Sequence, residues 1–333
     1  MTRARTRALG VLAWLRNPGL WPPILLVVAL GAAPALTGSA TLREGIFLLL
    51  MYVALASSLN IFLGYTGYVS FGHIVFFGLG GYVGFYALSV LHWPLALAAV
   101  AGGAAAGLLA LAIGASVLRL RGAYFALATL GINEAMRAFV SNFGPFGGPT
   151  GMSLDFSIYR SFGGPMQALW IAYFSMFALT VLAILVSYTV KRSKFGLGLF
   201  SIREDEDAAM VMGVRAPSAK TRALVLSAVI PGMIGVLFFF KNGNIEPPDA
   251  FRLHTSIEII VMVMLGGFGT VLGPVVGAAG YERLRSFLLT SEPFKSLQLT
   301  IAGLVLLLII LFIPNGVIGW LRARVPRLRR MLQ

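Results

Sequence analysis

Apolar runs of about membrane-spanning length, separated by short basic clusters, recur along this sequence and restrict its possible folds. A transmembrane helix needs about 20 mostly apolar residues, and a backbone inside hydrocarbon must satisfy its own hydrogen bonds, so each run predicts a helix. The predicted apolar segments cover residues 21–36, 45–63, 64–91, 94–118, 123–140, 166–190, 221–240, 256–289 and 297–313. The pattern therefore predicts an all-α, polytopic transmembrane helical bundle of about eight to ten spans.

The charged residues support this prediction and argue against a soluble domain and against a nucleic-acid-binding protein. They make up 11% of the chain, against about 25% in a soluble domain. The net charge is +14, but the basic residues stand in short clusters between apolar runs, as the positive-inside rule predicts. This distribution argues against a nucleic-acid partner. The absence of cysteine excludes disulfides and cysteine-ligated metals.

The basic clusters also predict the topology. Residues 1–20 form a basic arm, residues 21–318 a single transmembrane domain, and residues 319–333 a basic tail. Both termini are expected on the cytoplasmic side, which requires an even number of crossings, whereas the segments above number nine. We therefore expect segment 256–289 to enter and leave on one side as two half-helices, broken at the sequence GGFGTVLGP (266–274). Eight or ten spans both stay open, and segment 64–91 could be broken in the same way.

A short polar segment between two predicted spans indicates a helix on the cytoplasmic face. Ser201 and Glu204 fit a capping box, and an acidic run occupies the predicted first turn, where the helix dipole favours negative charge. Gly213 is a natural stop. A helix over 201–213 is too short to span a bilayer, and its acidic start and small apolar end suit a protein groove. An ordinary interfacial connector is the alternative. The candidate docking residues are Ser201, Arg203, Glu204, Asp205, Glu206, Asp207, Ala208, Ala209 and Gly213.

Several motifs in this order resemble those of one permease family. The stretch DAAMVMG (207–213) resembles the E-A-A-x-x-x-G coupling element of ATP-binding cassette (ABC) importer permeases, with Asp in place of Glu. The blocks GYTGYVSFGH (64–73), FFGLGGY (76–82), RGAYFALATL (121–130), EAMR (134–137), FGGPTG (146–151) and MLGGFGTVLGP (264–274) resemble those of branched-chain amino acid permeases. The chain is thus similar to LivM-type permeases of high-affinity branched-chain amino acid importers.

This resemblance implies a set of partners. They are a second, related permease of the LivH type, two ATP-binding subunits and a periplasmic solute-binding protein, around a chain in the bacterial inner membrane. The sequence has no G-x-x-x-x-G-K-[ST] element. We therefore expect no cofactor and no catalytic residue in this chain, with ATP and Mg²⁺ on the partner ATPases.

Polar groups and glycines within the spans are the candidates for a translocation path, because polar groups are costly there. Structural roles are the alternatives. Glu134 could form an ion pair with Arg137, and His73 could be packed and hydrogen-bonded inside the bundle. Glu258 could line an outer vestibule or lie on the surface, and Asn60 and Asn133 could join helices by hydrogen bonds. The candidates are Ser70, Gly72, His73, Glu134, Glu258, Gly266, Gly267, Gly269 and Pro274.

Competing functions remain open at this point. An ABC permease for urea, short amides or another small solute would have the same features. A secondary transporter would need coupling acids in its spans, which are few here. A membrane enzyme would need convergent titratable groups, whereas His73, His92 and His254 are scattered along the chain.

Overall fold

The computed structural model describes residues 19–290, 300–301, 303–304, 307 and 316–324. Between its loops, the regular secondary structure of the described part consists of α-helices, two short 3-10 helices (Gly144–Phe146 and Gly148–Thr150) and one pair of two-residue strands. Its helices are α1 (Trp21–Thr37), α2 (Ala40–Thr66), α3 (Ile74–Ser89), α4 (Leu95–Val117), α5 (Ala123–Asn142), α6 (Phe156–Ser161), α7 (Pro165–Arg192), α8 (Lys194–Glu204), α9 (Glu206–Val211), α10 (Ala216–Asn242), α11 (Pro247–Ala250), α12 (Leu253–Gly266), α13 (Leu272–Thr290) and α14 (Gly316–Arg324).

The predicted helical bundle is confirmed. Among the described residues, α2, α4, α7 and α10 are long and apolar enough to cross a membrane, and α1 and α3 are shorter apolar helices. The predicted basic arm lies outside the described residues up to position 18, as do the basic tail beyond 324 and most of the last predicted span, 297–313.

Helix α2 forms the centre of the bundle. Residues 50–66 are all buried, and α2 is contacted by α7, α10, α12 and α13. Around it, α3, α4 and α10 approach closely through glycines: a Cβ on Gly80 would lie 2.3 Å from the Gly232 Cα, and one on Gly102 would lie 2.5 Å from the Gly80 carbonyl oxygen. Small residues at such crossings let helix backbones meet and gain dispersion energy, which is how helices associate in lipid.

The predicted break in segment 256–289 is confirmed. Helices α12 and α13 pack closely against each other as an antiparallel hairpin. A Cβ atom added to Gly266 would lie 1.7 Å from the Gly273 carbonyl oxygen, and one added to Gly277 would lie 1.8 Å from the Met262 carbonyl oxygen. The chain reverses at residues 267–271, where Gly267 and Gly269 have φ of +124° and +77°, a region that favours glycine. Helix α12 has 14 residues, about 21 Å, too short for a hydrocarbon core of about 30 Å.

Segment 64–91 is also broken, as the sequence allowed. Helix α2 ends at Thr66, Gly67 has φ of +78°, and α3 begins only at Ile74. At the opposite end of the bundle, the loop after α5 packs on α10. Its strand β1 (Met152–Ser153) pairs antiparallel with β2 (Asn244–Ile245), and the Tyr159 hydroxyl donates to the Phe240 carbonyl oxygen at 2.7 Å.

Candidate functional site

The predicted docking helix over 201–213 is two helices rather than one. Helix α8 ends at Glu204 and α9 begins at Glu206, with Asp205 between them in an extended conformation (φ −158°, ψ 113°). The Asp205 Oδ1 accepts a hydrogen bond from the Ala208 amide at 2.9 Å, so Asp205 is the N-cap. Ser201 lies in the last turn of α8 and donates to the Leu197 carbonyl oxygen at 3.1 Å.

The predicted capping box at Ser201 is therefore wrong. Its failure has a local reason: Ser193 already caps α8, accepting from the Gly196 amide at 3.0 Å, so the helix has started before Ser201 is reached. Asp is as good a cap as Ser, and Asp205 begins the second helix. The predicted stop is confirmed, since Gly213 follows α9 with φ of +91°.

Two of the four acidic residues hold α9 to the bundle. The Glu206 carboxylate accepts from the Lys220 ammonium at 2.7 Å and from the Tyr68 hydroxyl, and Lys220 also donates to the Leu118 carbonyl oxygen at 3.0 Å. Asp207 forms a bidentate pair with Arg121, at 2.9 Å and 3.0 Å. Because Lys220 is only 2% exposed, the Lys220–Glu206 ion pair lies inside the protein and holds α9 against the bundle.

The electrostatics keep both carboxyl groups ionised. Burial by itself would raise the pKa of Glu206, but hydrogen bonds from Lys220 and Tyr68, with the charges of Lys220 and Arg121, hold that pKa below its ordinary value. The hydrogen bonds from Arg121 and its charge lower the pKa of Asp207. Tyr68, enclosed beside Glu206, has a raised pKa because burial disfavours its charged form.

The outward surface of the α9 segment is acidic at its start and apolar at its end. Val211 is 88% exposed and Met212 is 84% exposed, while Glu204, Asp205 and Ala208 are also exposed and Ala209 is buried. Sequence reasoning missed Tyr68 and Lys220 as partners of the acidic run and did not select Val211. The sequence feature that could have indicated a role for Lys220 is its position as a basic residue at the start of an apolar helix.

Arg203, at the end of α8, reaches the turn of the α12–α13 hairpin. Its Nη1 donates to the Gly64 carbonyl oxygen at 3.1 Å, and its guanidinium carbon lies 3.8 Å from the ring centroid of Phe268. Asn60 closes the same junction: its amide nitrogen donates to the Thr270 carbonyl oxygen at 2.9 Å, and its oxygen accepts from the Gly269 amide at 3.0 Å. The docking segment, α2 and the hairpin turn thus share one contact network.

Of the candidate path residues, those in the break between α2 and α3 are packed inside the protein. His73 is buried, with Nε2 at 3.1 Å from the Ser227 carbonyl oxygen, which agrees with hydrogen-bonded packing. Ser70 is buried, and a Cβ on Gly72 would lie 2.1 Å from the Thr129 carbonyl oxygen. In the hairpin, Gly266, Gly267, Gly269 and Pro274 form or adjoin the turn, and Pro274 is buried.

The predicted helix-joining and ion-pair interactions are confirmed. Asn60 joins α2 to the hairpin turn, and the Asn133 amide donates to the Phe251 carbonyl oxygen at 3.0 Å. Glu134 and Arg137 pair at 2.7 Å on the exposed face of α5, where both side chains are about half exposed.

Glu258 is neither on the surface nor on the wall of an open vestibule. Its carboxylate accepts from the Tyr52 and Tyr281 hydroxyls at 3.0 Å and 3.3 Å, and it lies 3.4 Å from Arg285 and 3.3 Å from His254. Only 3% of its side chain is exposed. The reason is the antiparallel hairpin, which brings Tyr281 and Arg285 of α13 across from Glu258 of α12.

Next to this cluster, a cleft of about 190 Å³ opens at the end of the bundle remote from α9. Its floor is apolar and aromatic, with Met51, Leu55, Phe77 and Phe238, and its rim is polar and charged. The rim residues are Asn242, Asn244, Glu246, Asp249, Arg252 and Arg285. Arg285 therefore connects the buried Glu258 to the rim.

Comparison with known proteins gives the family. The family model for the branched-chain amino acid transport system / permease component matches residues 41–313. The LivM high-affinity branched-chain amino acid transport system permease proteins of Salmonella typhimurium strain LT2 and Escherichia coli strain K12 are each 28% identical to this chain. The matches cover 82% and 83% of this chain, respectively, and 69% of each relative.

A shorter match is to the permease of a different import system. The autoinducer 2 import system permease protein LsrC of Salmonella typhimurium strain LT2 is 27% identical over 40% of this chain and 39% of its own length. No solved structure matches. With a family model that matches most of the chain and a helical membrane bundle of the kind that family predicts, this protein is a multi-pass membrane protein that belongs to the branched-chain amino acid transport system permease component family.

Proposed function

We propose that this chain is one permease subunit of an ATP-driven importer that moves branched-chain or related hydrophobic amino acids from the periplasm to the cytoplasm by alternating access. It works in the bacterial inner membrane with a related permease, two ATP-binding subunits and a periplasmic solute-binding protein. ATP and Mg²⁺ act on the ATP-binding subunits. Both termini of this chain lie in the cytoplasm.

The observation that carries this proposal is the construction of α9. At its end Met210, Val211 and Met212 are three consecutive exposed apolar residues, and a contiguous exposed apolar patch is typical of a protein interaction site. The position of α9 is fixed by its acidic residues: Glu206 binds Lys220 and Tyr68, and Asp207 binds Arg121. A partner that pushes on α9 therefore moves the bundle with it.

The route from α9 into the membrane runs through α8. Arg203 contacts the Gly64 carbonyl oxygen and the Phe268 ring, so a displacement of α8 acts directly on the end of α2 and on the hairpin turn. Broken helices inside the membrane line the substrate sites of many transporters, so the hairpin turn lies where a change in α8 could alter the path. The conformational change that ATP hydrolysis drives in the ATP-binding subunits displaces α9, and this displacement moves the hairpin turn.

Reconstitution of the four kinds of subunit in proteoliposomes tests the function. We expect uptake of radiolabelled leucine that requires ATP and the binding protein and persists when ion gradients are collapsed. Uptake driven by an ion gradient without ATP would instead support a secondary transporter. Competition by urea, short amides and autoinducer 2 tests the other substrates, the last because part of this chain is similar in sequence to LsrC.

The docking role of α9 has its own test. Val211→Asp and Met212→Asp together should release the ATP-binding subunits from the purified complex and abolish uptake, because a charge would be buried in an apolar contact. Val211→Ile and Met212→Leu together keep the surface apolar and should retain both. Full retention of the ATP-binding subunits by the Asp variant would contradict the docking role.

A further inference from the structure

The cleft of about 190 Å³ at the end of the bundle remote from α9 runs along one face of α2. Leu48, Met51, Tyr52 and Leu55 line it, and residues at this spacing lie on the same side of a helix. Leu48 and Leu55 are two helical turns apart, about 10 Å along the axis. Because α2 is long and apolar enough to span a membrane, the cleft leads from its charged rim into the apolar part of the bundle.

Aromatic side chains from two other helices complete the apolar part of the cleft. They are Phe77 of α3 and Phe238 and Phe239 of α10, and the Phe77 ring centroid lies 5.6 Å and 5.3 Å from the other two. The one hydroxyl here belongs to Tyr52, and it already donates to Glu258 at 3.0 Å. An apolar group can therefore fill this part without leaving a polar group unpaired.

The rim of the cleft carries charges of both signs, two carboxylates and two guanidinium groups. Asp249 and Arg252 pair with each other, so their charges balance. The Glu246 carboxylate is exposed and contacts the Asn244 side-chain amide at 3.5 Å. Within the part of the chain that the structure describes, Glu246 forms no ion pair. Its negative charge is thus available to a cation in the cleft.

Arg285 supplies the opposite charge. Its Nε lies 3.4 Å from the Glu258 carboxylate and its Nη1 lies 3.5 Å from the Glu282 carboxylate, both longer than the roughly 2.7–2.9 Å of a charge-assisted hydrogen bond. Neither of these carboxylates lines the cleft, whereas Arg285 does. A guanidinium group has five N–H donors in a rigid fork that matches a carboxylate. Arg285 therefore has donors left for a carboxylate that enters the cleft.

These features define the chemical class of the ligand. It has an apolar body for the inner part of the cleft, a carboxylate for Arg285 and a cation for Glu246. The cleft is smaller than the about 300–1,000 Å³ that drug-sized ligands occupy, so the ligand is a small solute. An aliphatic α-amino acid in its zwitterionic form has all of these properties, whereas urea and short amides carry neither charge.

We propose that this cleft binds the zwitterion of an aliphatic amino acid, with its carboxylate on Arg285 and its ammonium group on Glu246. The side chain of the amino acid lies among Met51, Leu55, Phe77 and Phe238. This inference rests on the proposed function for the identity of the solute. Because Arg285 also contacts Glu258 of α12, the carboxylate of the bound amino acid competes with Glu258 for one guanidinium group and links binding to the hairpin.

A thiol in the cleft can report binding, because the chain has no cysteine. Thr255→Cys places a thiol on the cleft wall, and Ser157→Cys places one at an exposed position outside the cleft as the control. The complex of both permeases and the ATP-binding subunits is purified in detergent, without ATP or the binding protein. Mass spectrometry of this chain measures the rate of maleimide labelling with leucine, leucinamide, isocaproate or glycine.

We expect leucine at about ten times its Kd to slow labelling at position 255 about tenfold, because the thiol reacts only while the cleft is free. Labelling at position 157 should not change. Leucinamide lacks the carboxylate, isocaproate lacks the ammonium group and glycine lacks the apolar side chain. Each should need a concentration at least about tenfold higher than leucine for the same protection.

Charge variants on the Thr255→Cys background assign the effect to named residues. Glu246→Gln and Arg285→Gln should each raise the leucine concentration for half protection about tenfold. Arg160→Gln removes an exposed arginine outside the cleft and should leave that concentration unchanged. Because Arg285→Gln alone leaves the buried Glu258 without this counter-charge, Arg285→Gln/Glu258→Gln is also measured. It should lose protection equally while its melting temperature stays closer to that of wild type.

Several outcomes would overturn the proposal. Leucinamide, isocaproate or glycine could protect as well as leucine, both thiols could be slowed equally, or protection could persist in Glu246→Gln and in Arg285→Gln/Glu258→Gln. The labelling assay involves neither ATP nor transport, so a lack of protection in a complex that imports leucine with ATP rejects the cleft and keeps the proposed function. Full protection in a complex whose leucine uptake needs no ATP keeps the cleft and rejects the proposed function.

Discussion

The guanidinium carbon of Arg203 lies 3.8 Å from the ring centroid of Phe268, although the two residues belong to different elements, the end of α8 and the turn between α12 and α13. The same guanidinium donates to the Gly64 carbonyl oxygen of α2. A cation over an aromatic ring is worth up to about 2 kcal/mol when shielded from water. This contact links the docking segment directly to the turn of the broken hairpin.

Arg203→Gln should uncouple ATP hydrolysis from transport. If the contact stabilises the transition state of the conformational change, losing about 1–2 kcal/mol predicts a roughly tenfold lower uptake rate in proteoliposomes, while ATP hydrolysis by the complex continues. Arg215→Gln, which removes an exposed arginine just after α9, is the control and should transport normally. Equal uptake by the two variants would remove Arg203 from the coupling route.

The Lys220–Glu206 pair should show strong non-additivity. Lys220 is buried and its ammonium has three acceptors, on Glu206, Tyr68 and Leu118. Glu206→Gln leaves this ammonium without its counter-charge, and breaking a buried pair from one side costs about 3 kcal/mol or more. The double variant Glu206→Gln/Lys220→Met removes both charges and should be more stable than Glu206→Gln alone. Thermal melting in detergent measures this; simple addition of the two single effects would show that the pair is not coupled.

The acid stability of α9 follows from the lowered pKa values of Glu206 and Asp207. A carboxyl group whose pKa is lower folded than unfolded stabilises the fold fully above its unfolded pKa and loses that contribution as the pH falls through the folded pKa. The ordinary values are about 4.3 for Glu and 3.9 for Asp. The difference in melting temperature between wild type and Glu206→Gln should therefore be constant from pH 8 to pH 5 and shrink below about pH 4. A decline that begins between pH 8 and pH 6 would contradict this assignment.

Two glycines of α13 should respond differently to the same substitution. A Cβ on Gly277 would lie 1.8 Å from the Met262 carbonyl oxygen, whereas the nearest atom to a Cβ on Gly280 is a Leu265 methyl at 3.8 Å. Gly277→Ala should force α12 and α13 apart and cost about 1–3 kcal/mol of stability. Gly280→Ala, with room for the methyl, should keep the melting temperature and the uptake rate of wild type. Loss of function in both variants would mean that backbone flexibility rather than packing governs the hairpin.

The proposed orientation can be tested directly, because the chain has no cysteine. Ser218→Cys, at the start of α10 near α9, and Ser157→Cys, in α6 at the opposite end of the bundle, both place a thiol at an exposed position. In intact cells a membrane-impermeant maleimide should label Cys at position 157 and reach position 218 only after the inner membrane is opened. The reverse pattern would invert the topology.

Local features of the sequence were enough to predict the helical membrane bundle and its two breaks. Hydropathy over about 20 residues decides whether a segment lies in lipid, and the glycines around 67 and 266–273 disfavour continuous helix wherever they stand. The ion pair of Glu134 with Arg137 was predictable for the same reason, since three residues along a helix fix the distance.

The roles of the residues between 201 and 213 were predicted less well. Their helix boundary depended on a competition between Ser193, Ser201 and Asp205 as caps, each an acceptable choice by residue type. The contacts of the acidic run depended on groups far along the chain. Tyr68 is 138 positions from its partner Glu206, and Arg121 is 86 positions from its partner Asp207.

The sequence by itself therefore determined that the chain is a helical membrane bundle, where two of its apolar segments break and which family it belongs to, because those properties depend on neighbouring residues. Only the tertiary structure decided that Glu206 turns inward to Lys220 while Asp207 pairs with Arg121 at the surface. It also decided that Val211 and Met212 face outward and that Glu258 is enclosed. Those arrangements arise from helix packing, which brings distant residues within hydrogen-bonding distance and sets the charge that each must balance.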